Sequence, residues 1–126
     1  MRTNNLRKLV QAKLKTVCDN VYYENADEDK MYPHCVFSFQ FIDTSDTGFA
    51  RSDATLTIDV WDKSKSAIAI EDMCDSVEDL FNGTNQPQDS ILPTFYLISR
   101  TAVTDDVKEI RHRVIRVLVQ NYENEV

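Results

Sequence analysis

Glycine and proline are scarce, at 2 and 3 of 126 residues. That excludes collagen-like repeats and low-complexity linkers. With glycine only at positions 48 and 83, no G-x-G-x-x-G or Walker-type phosphate loop fits, because both need clustered glycines. Cysteine is also sparse. Cys18, Cys35 and Cys74 are odd in number and irregular in spacing, so the expectation is reduced thiols of cytoplasmic origin, not a disulfide framework. The two histidines and three cysteines form no CxxC or HxxxH spacing, so no metal site is expected. No run of about 18 apolar residues exists, and no membrane span is expected. The first fifteen residues never develop a continuous apolar stretch, so no secretory signal is expected either. Basic charge is in deficit: 14 Lys and Arg against 21 Asp and Glu, for a net charge of −7. That argues against specific nucleic-acid binding, because phosphates must be met by Lys and Arg.

What is present is enough for one core. Apolar residues make up 42% of the chain, and a chain of this length buries about two-thirds of its unfolded surface. A single domain over residues 1–126 is expected. Charge is segregated along it. Residues 1–18 carry five bases and no acid, residues 19–30 a net −4, residues 43–89 a net −8, and residues 100–126 balance.

Leu6, Leu9, Val10, Leu14 and Val17 recur at three- and four-residue steps and predict an amphipathic helix, with Asn4 or Asn5 as its cap. A short strand over 21–23 and an acidic loop over 24–30 follow. Residues 34–43 predict a strand in which Cys35, Phe37, Phe39 and Phe41 alternate with Val36, Ser38, Gln40 and Ile42. Apolar side chains on both of its faces imply cover on both sides, by helices or by neighbouring subunits. Residues 44–53 read as a long hairpin loop and residues 54–62 as a second strand. A second helix starts at Ser64 or Ser66, buries Ile70, Met73, Cys74, Val77, Leu80 and Phe81, and stops at Gly83. Residues 85–90 read as a linker. Strands over 95–103 and 110–122 enclose a polar turn. The fold class is therefore α+β: a mainly antiparallel sheet of four or five strands with two helices, in the order α-β-β-β-α-β-β.

Catalytic features are thin. His34 and Cys35 adjoin in sequence but point to opposite faces of a strand. A Cys35–His112 pair across the sheet is the one nucleophile–base arrangement left open, against the plainer reading of a buried thiol and a strand histidine. Cys74 lies on the apolar stripe of the second helix and reads as core. Asp43, Asp46 and Asp53 lack the one-residue ladder of a calcium loop. The acids of the second helix, Glu71, Asp72, Asp75, Glu78 and Asp79, have two readings. One is solubility. The other is that copies arranged around an axis present a ring of carboxylates, which suits a pore passing DNA because it does not hold phosphates. The basic first helix reads as a solvated face or as the complement of an acidic partner.

Taken together, the segments MYPHCVFSFQF, ATLTIDVWDKSKSAIAIEDMCDSVEDLF and PTFYLISRTAVTDDVKEIRHRVIRVLVQNYE are a pattern of their own. The sequence resembles the tail-terminator (tail-completion, minor tail) proteins of long-tailed bacteriophages and prophages over residues 5–122. The marks are a strand ending in Val60, Trp61 and Asp62, followed at once by a Ser/Lys loop and a helix, and a closing strand that starts near Arg111 and His112.

The resemblance implies a virion protein made in the bacterial host cytoplasm. Its copies form a ring, commonly a hexamer, at the end of the tail tube; the ring halts tube polymerisation and offers a surface to the head connector or stopper. DNA passes through without specific binding. No enzyme activity, cofactor or membrane contact is implied. Within that reading Asp46, Phe49 and Arg51 of the long hairpin are the candidate partner contacts, Phe49 as an apolar anchor in a polar loop. The five acids of the second helix are the candidate pore lining. The competing expectations are another head–tail joining or neck protein, a small ligand- or peptide-binding regulatory domain, and an enzyme using Cys35 or Cys74.

Overall fold

The computed structural model describes residues 2–42, 51–83 and 91–123. Helix α1 (Arg2–Lys15) leads into β1 (Val21–Tyr23), β2 (His34–Ile42) and β3 (Arg51–Lys63). Helix α2 (Ile68–Leu80), β4 (Ile91–Val103) and β5 (Ile110–Glu123) follow. The five strands form one sheet in the order β1-β2-β3-β5-β4. All pairs are antiparallel except β1 with β2. The expected α+β order is the observed one.

The period-2 alternation divides the sheet cleanly. Cys35 and Phe37 of β2, Ala54, Leu56, Ile58 and Val60 of β3, Ile115, Val117 and Val119 of β5 and Phe95 of β4 all face the helices and are buried. Against them pack Leu6, Leu9, Val10 and Leu14 of α1, and Ile70, Cys74 and Val77 of α2 together with Phe81 just beyond it. The i, i+3, i+4 spacing of those positions gives each helix the apolar stripe that buries it. Both helices therefore cover one face, and among the described residues no helix lies on the other.

Several boundaries move. The first helix is under way at Arg2, which places Asn4 and Asn5 in its first turn instead of at its cap. Strand β3 starts at Arg51 rather than at 54, and β4 at Ile91 rather than at 95. Their added ends pair with β5, Arg51 opposite Tyr122 and Ile91 opposite Glu123, so the ladder overrides the polar character of residues 51–53. The second helix starts later than either serine: it runs from Ile68 with Ala67 at its N-cap and no side-chain cap. Ser64 and Ser66 shape the turn before it, the Ser66 N–H donating to Ser64 Oγ and the Ile68 N–H to Ser66 Oγ, each at 3.2 Å. Gly83 takes φ +67 and its N–H donates to the Phe95 carbonyl at 2.8 Å. No atom lies within 4 Å of where its Cβ would be, so the left-handed backbone alone calls for glycine there. The linker at 85–90 lies outside the described residues.

Strand β4 carries an irregularity that alternation does not foresee. Leu97 pairs with Val117 and Ser99 with Arg116, so Ile98 is an extra residue in the ladder. A bulge shifts the phase of everything after it. Arg100 consequently pairs with Ile115 and turns to the helix side of the sheet.

Candidate functional site

Three surfaces carry polar or exposed apolar groups that the core does not explain. The first is built by the bulge. Arg100 meets the acidic side of α2, with Nη1 3.0 Å from Glu71 Oε2, Nη2 2.6 Å from Asp75 Oδ1, and a further contact to Glu78. Arg113 donates from Nε to Glu71 Oε1 at 2.6 Å. Residues 71, 75 and 78 share one helix face because they are spaced four and three apart. The hydrogen bond from Arg113, ahead of the Arg100 contact, holds the Glu71 carboxyl below its ordinary value of 4.5. The five proposed pore-lining acids thus divide. Glu71, Asp75 and Glu78 are held with two arginines, and the group has a net charge of −1 in place of −3. Asp72 and Asp79 are exposed, with no ion pair among the described residues.

The second surface is an aromatic row on the open face. His34, Trp61, His112 and Val103 are successive cross-strand neighbours on β2, β3, β5 and β4. The Trp61 and His112 rings stack at 3.7 Å and 11°. His34 lies 6.0 Å from Trp61 and 5.0 Å from Tyr32. His112 Nε2 donates to Asp59 Oδ1 at 2.6 Å, which sets the ring's orientation. The two sequence marks of the resemblance meet here: Val60, Trp61 and Asp62 lie opposite Arg113, His112 and Arg111.

His34 is 1% exposed, and its Nδ1 has no hydrogen-bond partner. Burial, then the charge of Lys30, lowers its pKa below the ordinary 6.5. The unfolded chain therefore takes up this proton more readily than the folded one. Stability rises with pH in that window and falls as pH drops below about 6.5. Glu71 acts in the same direction lower down: its contribution is present above about 4.5 and lost as pH falls further. The unfolding free energy from urea titrations is expected to fall from pH 7 to 5 by at most about 1.4 kcal/mol per pH unit for His34. A His34→Leu chain should fall less steeply over this range. An unchanged slope in that variant would place the acid sensitivity elsewhere.

The third surface is the β4 edge. Tyr96, Leu97, Ile98 and Val103 are exposed, Ile98 at 55%. A thirteen-residue edge strand with apolar side chains is a site for association unless something covers it.

The remaining expectations can now be placed. Cys35 and His112 do not form a pair, because Cys35 pairs with Val60 on the helix side while His112 pairs with Trp61 on the open face. All three thiols are buried. Burial raises the Cys74 thiol to about 11, which removes the thiolate a nucleophile needs. Asp46 and Phe49 lie outside the described residues, as does Asp43. Arg51 is placed by its backbone at the start of β3. Among the described residues no three His, Cys, Asp or Glu side chains are grouped to hold a metal, and no helix is long and apolar enough to cross a membrane. The aromatic row and the Arg100 cluster were missed in the sequence. The acidic spacing at 71, 75 and 78 was the available signal for the second.

Comparison with known proteins adds the context. No family model and no curated protein matches the sequence. Solved structures do match. A chain of the virion of the native gene transfer agent particle superposes with a TM-score of 0.78 at 12% identity, over 94% of this chain and 96% of that one. The gp17 protein of bacteriophage SPP1 superposes with a TM-score of 0.60 at 16% identity, over 99% and 94%. The chain therefore has, over nearly its whole length, the fold of a gene transfer agent virion component and of a bacteriophage protein.

Proposed function

We propose that this protein is a structural subunit of a phage or prophage tail, forming a ring, commonly of six copies, that caps the tail tube, ends tube growth and presents the joining surface to the head connector. The observation that carries this reading is the near end-to-end match in fold with a virion component and a bacteriophage protein. The mechanism is one of shape. A contact between two different patches on identical copies closes into a ring when its rotation allows. One rim then matches the tube end and the other does not. The exposed apolar edge of β4 supplies one of those patches. The hairpin between β2 and β3, with Asp46, Phe49 and Arg51, is the proposed contact with the tube. Asp72 and Asp79 are the acids left to face the lumen, through which DNA passes without specific contacts. The protein works in the virion, after synthesis in the host cytoplasm, and needs no cofactor.

The test is to add the purified chain to polymerising tail-tube protein and measure tube length by negative-stain microscopy. Capped, shorter tubes are expected. Tubes of unchanged length would sink the terminator role, and binding to the head connector alone would favour another neck protein. Ile98→Asp puts a charge on the exposed edge without touching the core. It should leave the circular dichroism spectrum intact and abolish cyclic assembly.

A further inference from the structure

A depression of about 340 Å³ opens on the sheet's uncovered face, between the 24–30 loop and strands β2 and β3. Glu24, Lys30, His34, Val36, Asp59 and Trp61 line it. Acids outnumber bases in this lining, Glu24 and Asp59 against Lys30. Glu24 and Asp59 bring carboxylates, and Asp59 spends only one acceptor position on His112. Trp61 forms part of the wall, its ring stacked on His112 at 3.7 Å and nearly parallel to His34 at 6.0 Å. His34 is buried, yet its Nδ1 is unpartnered. A buried polar atom left without a partner costs about 1–3 kcal/mol. In the tautomer protonated at Nε2, Nδ1 is an acceptor, as an incoming N–H requires. Two carboxylates and a bare imidazole nitrogen together form a receptor for an ammonium or guanidinium group. Lys30 is the chain's own cation at the rim.

We propose that this groove receives a basic side chain, Lys8 or Lys15, from helix α1 of a second copy. Residues 1–18 carry five bases and no acid, while residues 19–30 carry five acids and one base. Lys8 and Lys15 are both exposed and seven residues apart, so they lie on one face of the helix. Helix α1 packs on the helix side of the sheet and the groove lies on the opposite face. The contact is therefore head-to-tail, the kind that closes rings or builds open chains. The inference rests on the ring reading for its biological setting, but not for its chemistry.

Two measurements on the full chain test it. Trp61 is the only tryptophan, so its emission reports the groove directly. Nα-acetyl-lysine amide should shift that emission saturably, and the neutral norleucine analogue should not. Glu24→Gln should weaken the response, and Lys30→Ala, by removing the competing cation, should strengthen it. Equal responses to the two probes, or a lysine response indifferent to both variants, would overturn the groove's assignment.

Sedimentation velocity tests the occupant. The doubly substituted Lys8→Glu, Lys15→Glu chain and the Glu24→Lys chain should each self-associate about tenfold more weakly. Mixing the two should restore association, because the reversed charges again complement each other. Failure of the mixture to recover, or absence of self-association in the unaltered chain, would overturn the second-copy contact. Rings that close unchanged in both variants would end the contact and leave the ring reading standing. Open chains of copies that the substitutions dissolve would keep the contact and end the ring.

Discussion

Phe37→Ala is expected to cost about 3–5 kcal/mol, the range for removing a fully buried phenylalanine. Phe37 is completely buried in β2, with ring centroids 5.1 Å from Tyr23 and 6.0 Å from Phe39. It belongs to the cluster that ties α1 to the sheet. Deleting the ring forfeits its transfer free energy and leaves a cavity that strands fixed on both sides cannot collapse into. A domain of this size holds about 5–15 kcal/mol in all, so this one side chain is a large fraction of the total. Urea denaturation followed by circular dichroism measures the loss. Amide exchange should show which part loosens: α1, which the ring supports, before β5. Phe39, only half-buried, should cost clearly less when truncated. A Phe37→Ala loss below about 1 kcal/mol would mean that the helix does not depend on that packing.

The second large effect is expected at Arg100→Leu, at about 2 kcal/mol. The guanidinium sits among Glu71, Asp75 and Glu78, and its removal leaves three carboxylates close together, with Arg113 the one cation still paired to them among the described residues. Most of the cost is repulsion among the acids that remain, not the lost attraction. Asp75 is 68% exposed and Glu71 42%, so solvent screens part of it, and the figure lies below that for a fully buried pair. Two signatures distinguish repulsion from lost packing. The penalty should shrink in high salt, which screens the acids. It should also shrink below about pH 4.5, where the carboxyls protonate. Replacing Glu71 by Gln in the Arg100→Leu background should recover part of the loss. A penalty constant across salt and pH would assign it to the arginine's methylene stem instead.

The contrast between these two residues shows what the sequence made legible. Phe37 could be placed in the core by counting in twos, because β2 and β3 run regularly and their apolar positions keep one phase. The stripe of α2 and the left-handed Gly83 were equally open to reading, since each depends on neighbours a few residues away. Arg100 was not. Its side depends on one extra residue at the Leu97–Ser99 step, and a bulge leaves no mark in composition. The polar run 51–53 was assigned to a loop because nothing local pulls it into a strand; its partners on β5 are about seventy residues later. The stacked row was hidden for the same reason. Alternation says which face Trp61 and His112 occupy, but only the register brings the rings together. The discarded Cys35–His112 pair reflects that limit: residues were matched across the sheet before the opposing faces were known.

The two borders of the sheet differ greatly in length: β4 offers thirteen residues and β1 three. Main-chain pairing of like with like along β4 would yield a twofold dimer and then stop, while growth from β1 would run out of hydrogen bonds after a single turn of pleat. Neither border can template an endless fibril, and the kink at Ile98 further spoils the long one. Edge-to-edge pairing through this sheet thereby limits how many copies can join by main-chain bonds.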